Sequence, residues 1–104
     1  MDVINFVETE CVRYGNIDNN IKAQILLKAI NTEIAANNTF NSRLVVQTAE
    51  QSTYYQELRV VKHLLQFYID RGKFNMNTSD IPYVGDHPVR YNLIKVQLQS
   101  HFTT

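Results

Sequence analysis

Between Tyr54 and Tyr68 apolar side chains recur at spacings of four and three residues, through Tyr54, Leu58, Val61, Leu65 and Tyr68. That is the period of one face of an α-helix. Val60, Leu64 and Phe67 widen the stripe to about half the circumference, while Arg59, Lys62, His63, Gln66 and Asp70 fill the opposite strip. A face that wide needs more than one partner, so this helix is predicted to lie at the centre of an assembly of helices and to stop at Gly72. Upstream the pattern reaches back toward Ser42. There Gln51-Ser52-Thr53 is polar, and Thr53 with Gln56 has capping-box spacing, so the segment is either one long helix or two with a break.

Two further helices are predicted before it. From Asp2 to Tyr14, the residues Val3, Ile4, Val7, Cys11 and Tyr14 share a face, with Asp2 placed as N-cap and Gly15 where a left-handed residue ends a helix. From Asn19 to Ala36, capped by Asp18 or Asn19, one arc holds Ala23, Leu26, Leu27, Ile30 and Ile34 and another holds Ile21, Ile25 and Ala29. Two arcs predict a helix sandwiched between neighbours. Asn37-Asn38-Thr39 favours turns and ends it.

The stretch from Asn75 to Pro88, with Pro82, Gly85 and Pro88, reads as a long loop. The last segment, Val89 to Phe102, fits two patterns. As a helix it starts at Asp86 and Pro88 and carries two arcs, Val89-Leu93-Val96 and Tyr91-Ile94-Leu98-Phe102. As a strand it alternates with one slip, but it lacks a partner other than Leu44-Val45-Val46. The favoured expectation is an all-α fold, a small bundle of three to four amphipathic helices in one domain over residues 1–104. The alternative is α+β with residues 89–102 as a strand.

Composition limits the function classes. With ten basic and ten acidic side chains the formal net charge is zero, so no bulk field draws the chain to nucleic acid or to acidic membranes. The charge is uneven: residues 1–58 hold four basic and seven acidic side chains, and residues 59–104 hold six basic and three acidic ones. Such a polar molecule is suited to head-to-tail association or to offering its basic end to an acidic partner. No apolar run approaches membrane-spanning length, and the N-terminus lacks the basic start and apolar stretch of a signal peptide. Cys11 is the single cysteine, which fits a reducing, cytoplasmic setting. The eleven asparagines hint at AT-rich coding, as in phages and low-GC bacteria.

Catalytic chemistry has no residue to rest on. His63, His87 and His101 are scattered and lack metal-site spacing, so no metal or other cofactor is expected. Cys11 falls on an apolar face, where a packing thiol is expected and not a nucleophile. Glu8 and Glu10 do not share a helix face, and the three glycines form no phosphate-binding loop. The expected function is therefore non-enzymatic: an adaptor, inhibitor or assembly subunit that docks to a protein partner or to itself as a homo-oligomer. Tyr55 and Ile69 lie toward the polar strip of the central helix, and an exposed Tyr55–Ile69 edge would be a docking surface. The second choice is a nucleic-acid-binding regulator using Arg59, Lys62, Lys73, Arg90 and Lys95, with tyrosines available for stacking.

Overall fold

The longest helix, α3 (Ala49–Arg71), is the element around which the others are arranged. It belongs to a computed structural model that describes residues 2–38, 49–74 and 82–102. The remaining elements are α1 (Val3–Tyr14), α2 (Asn19–Asn38), a short α4 (Pro82–Asp86) and α5 (Pro88–Ser100). The fold is all-α, and residues 88–100 are helix, which removes the strand alternative. Extensive packing joins α2 to α3; α1 bridges α2 and α5, and α5 returns against α3, so four helices enclose one core.

That core is built from the predicted stripes. Val3, Val7 and Cys11 of α1, Ala23, Leu26 and Ile30 of α2, and Tyr91, Ile94 and Leu98 of α5 converge on Tyr54, Leu58, Val61 and Leu65 of α3. Val60 and Leu64 are fully buried as well, so α3 meets neighbours across a broad arc, as its width required. No break interrupts it at Gln51–Thr53, because the helix runs unbroken from Ala49 and the capping-box spacing is not used as a helix start. Packing of the stripe that follows outweighs the weak local preference of a few polar residues. The stretch from Ser42 to Thr48 lies outside the described residues. The predicted long loop is also corrected in part: Pro82–Asp86 forms a helical turn that buries Val84 in the core.

Local chemistry sets the helix ends. The Asp2 carboxylate accepts a hydrogen bond from the Ile4 amide at 3.1 Å and caps α1. Asp18 does the same for α2 through the amides of Asn20 (3.0 Å) and Ile21 (3.4 Å). At the end of α3, Gly72 adopts φ +74°, a left-handed conformation that side chains resist, and its amide bonds the Tyr68 carbonyl at 2.7 Å. The turn brings Phe74 back to stack on Tyr68, with ring centroids 4.5 Å apart, and Phe102 closes a three-ring cluster at 5.1 and 5.5 Å from them. The last carbonyls of the α5 segment are met from α2: Lys22 Nζ donates to the His101 carbonyl (2.7 Å) and Asn19 Nδ2 to the Phe102 carbonyl (2.9 Å).

Among the described residues one charged side chain lies inside this apolar framework. Glu57 is only 3% exposed, yet it stands on the inward face of α3 between Tyr54 and Val61. Arg90 of α5 meets it with a two-point clamp, Nε to Oε2 at 2.7 Å and Nη2 to Oε1 at 2.9 Å. The same Nη2 donates to Asp2 Oδ1 at 2.7 Å, so one guanidinium joins the start of α1, the middle of α3 and the start of α5. Hydrogen bonding to Glu57, and then to Asp2, pushes the Arg90 guanidinium above its usual range.

A second polar group is buried without such help. The Tyr91 ring is in the core and its hydroxyl has no hydrogen-bond partner among the described residues. Burial pushes its ionisation up.

Two outcomes follow from these two groups. Glu57→Ala is expected to lower the unfolding free energy by about 2–4 kcal/mol, less than for a fully enclosed pair because water reaches part of Arg90. The combined Glu57→Leu, Arg90→Met protein is expected to lose less than Glu57→Ala alone, since no charge is then left unpaired in the core. Urea titrations of the three proteins check the order. Tyr91→Phe is expected to be neutral or stabilising by up to about 1 kcal/mol, because it deletes an unsatisfied buried hydroxyl; a clear loss of stability in the same titration would contradict the unpartnered geometry.

Candidate functional site

The residues predicted to bind partners take diverse positions. Tyr55 is half-buried, with the Arg59 guanidinium 6.0 Å from its ring centroid. Ile69 is half-buried and packs against the core. The expected exposed Tyr55–Ile69 edge is thus corrected to a partly covered one, because the apolar face of α3 is wider than the sequence pattern drew it. Arg59 and Lys73 are exposed, and Lys62 and Lys95 are half-buried. Arg90 is paired with Glu57 and Asp2 and is partly exposed.

The exposed apolar side chains lie elsewhere. On α5, Val89, Leu93 and Val96 are 83, 46 and 60% exposed. Their spacing of four and three puts them on one line along the helix. They form one of the two predicted arcs of this segment, and the other arc, Tyr91-Ile94-Leu98-Phe102, is the buried one. The outer stripe is bordered by the exposed amides Asn92 and Gln97 and ends at Ser100. Both cations of α5 fall off it: Arg90 turns inward to Glu57, and Lys95 lies on the flank. The stripe itself is therefore apolar, and the partly exposed Arg90–Asp2 pair lies on the side of Gln97.

A similar separation occurs on α2, where the prediction of a sandwiched helix is corrected. Ala23, Leu26 and Ile30 are buried, while Ile21 and Ile25 are exposed to solvent. The α2 line continues through exposed Lys28, so it is shorter and charged at one end. Val12 of α1 is exposed alone. Scattered apolar side chains of that kind are ordinary on a protein surface; three in register are a surface feature.

Among the described residues the cysteine and the buried tyrosines each sit in separate surroundings. Burial pushes the Cys11 thiol up to about 11, which keeps it protonated and inert at neutral pH. Burial, followed by the Glu10 carboxylate, raises Tyr14, whose hydroxyl donates to Glu10 at 3.2 Å. Burial and then Glu33 raise Tyr54, whose hydroxyl donates to Glu33 at 2.9 Å and ties α3 to α2. Among the described residues no three of His, Cys, Asp and Glu come together as metal ligands, and no helix is long and apolar enough to cross a membrane. The gap between α1, α3 and α5, lined by Val3, Val7, Val61 and Leu98, holds about 10 Å³, no more than one water.

Glu57 and its clamp were missed by sequence reasoning, although a signal existed. Glu57 is three residues after Tyr54 and four before Val61, so it occupies a stripe position. An acid on an apolar face calls for a buried cation, and Arg90 precedes a stripe residue in the same way.

Two histidines give the pH response. Burial lowers the ionisation of His63, and the Arg59 and Lys62 charges lower it further. Burial lowers that of His101, with Lys22 acting in the same sense and Glu8 opposing. The unfolded chain therefore binds more protons at these positions, and stability rises with pH through that range. Folding stability is expected to fall as pH drops below the ordinary histidine value of 6.5. His63→Gln and His101→Gln are each expected to narrow the difference between urea midpoints measured at about pH 7.5 and about pH 5.5. Comparison of the chain with protein-family models, with curated proteins and with solved structures finds no match.

Proposed function

We propose that this protein is a non-enzymatic association module that docks to another protein through the outer stripe of α5. One observation carries the reading: Val89, Leu93 and Val96 stand in register and in water on a helix whose opposite face fills the core. Keeping them exposed forgoes hydrophobic stabilisation of about 25 cal/mol for each Å² left in water. Covering them with a partner recovers it. An apolar centre with charges kept to the side and hydrogen-bonding amides at the rim is the composition of a protein interface.

Nucleic acid is the weaker alternative. Arg90, one of the five basic residues on which it rested, is engaged by two carboxylates inside the fold.

The test uses the wild-type chain and Leu93→Asp as immobilised baits in extracts of the producing cell. Leu93 is 46% exposed, so the substitution is expected to leave the fold and its circular dichroism unchanged. Proteins retained by the wild type, the chain itself included, are expected to be lost from the variant. Equal recovery on both baits would refute the assignment of this stripe.

A further inference from the structure

We propose that the turn closing α5 is a proton-operated latch: Lys22 and Asn19 hold residues 101–102 against the start of α2, and protonation of His101 loosens that hold and frees the Phe102 ring.

A helix leaves its last carbonyls without partners of its own. At the end of α5, two side chains from the first turn of α2 take them. Lys22 Nζ donates to the His101 carbonyl at 2.7 Å, and Asn19 Nδ2 donates to the Phe102 carbonyl at 2.9 Å. The same ammonium lies 5.5 Å from the centre of the Phe102 ring. That ring in turn leans on Tyr68 and Phe74. One cation therefore fastens both the backbone of the turn and the side chain that anchors it.

The position of that cation makes the latch sensitive to acid. An imidazolium at a helix C-terminus is ordinarily favoured, because it faces open carbonyls and the negative end of the helix dipole. Here the place is taken. Lys22 already fills the His101 carbonyl, so a proton on the same residue sets a second cation beside the first. The half-buried ring has also lost part of the water that would solvate its charge. Among the described residues, the charged groups that act on His101 are Lys22 from α2 and Glu8 from α1. Glu8 favours the imidazolium, but burial, and then Lys22, outweigh it and lower the ionisation of His101. In the open turn the ring stands in water. The latched turn thus binds the proton less readily than the open one. Latching is strongest above the ordinary histidine value of 6.5 and weakens as pH falls below it.

Amide hydrogen exchange on the full chain, followed by NMR, reads the latch directly. The reporters are the amides of His101 and Phe102, which donate to the Leu98 and Gln99 carbonyls. Their protection factors are expected to lie below that of Val61 in the core, because the turn opens without the rest of the fold. Between about pH 7.5 and about pH 5 they are expected to fall by the ratio of the His101 acid constants in the latched and open turns, at least about twofold. His101→Gln is expected to abolish that fall, and His63→Gln to leave it intact, since His63 answers to Arg59 and Lys62. Lys22→Met is expected to lower the protection of both amides at neutral pH and to move the His101 titration up. Glu8→Gln, at an exposed position outside the latch, is expected to move it down and serves if Lys22→Met does not fold. Equal protection at Val61 and at the turn would make the opening global and overturn the proposal. So would a fall that persists in His101→Gln, or a His101 titration that neither the Lys22 nor the Glu8 substitution moves.

Discussion

The Arg90 guanidinium is the point at which the fold is decided. Glu57 sits among apolar side chains on the inward face of α3, where a lone carboxylate costs several kcal/mol. A cation with the right reach and fork geometry offsets that cost, and Arg90 supplies both nitrogens. Its bond to Asp2 then engages the residue that caps α1. Three segments distant in sequence are set in register by one planar group. Apolar stripes are permissive about sliding by a turn, whereas a two-point ion pair is not.

That constraint explains how the outer surface of α5 arises. Turning Arg90 inward fixes the rotation of α5 about its own axis. Tyr91, Ile94 and Leu98 then face the core, and Val89, Leu93 and Val96 face out. The exposed stripe is thus not a loose end of an imperfect bundle. It is held in place by the same contact that holds the interior, and a surface so fixed presents its side chains in a constant arrangement.

Much of this was legible in the residues. The periodicity of Tyr54 to Tyr68 identified the central helix and its buried members, and Asp2, Gly15 and Pro88 marked helix boundaries that the structure keeps. Helix boundaries and faces depend on local spacing, which a sequence displays. Which of two apolar arcs is buried depends on where neighbours lie, and α2 and α5 each carried two. The alternation read as strand in residues 89–102 came from overlaying two helical arcs. The site was less legible still. Tyr55 and Ile69 were placed at the surface from angles on one helix, but the packing of α2 and α5 around that helix decides what is covered. Arg90 read as a surface cation because its carboxylate partner lies 33 residues away.

That separation has a consequence for how the chain comes to be folded. When α3 leaves the ribosome, Arg90 has not been made, nor have the carbonyls that Lys22 and Asn19 will bind. A nascent chain ending before α5 lacks the two-point clamp that Arg90 puts on Glu57 at the inward face of α3. The Glu57–Arg90 contact is therefore made late in synthesis, after the helices that precede α5 are available to pack.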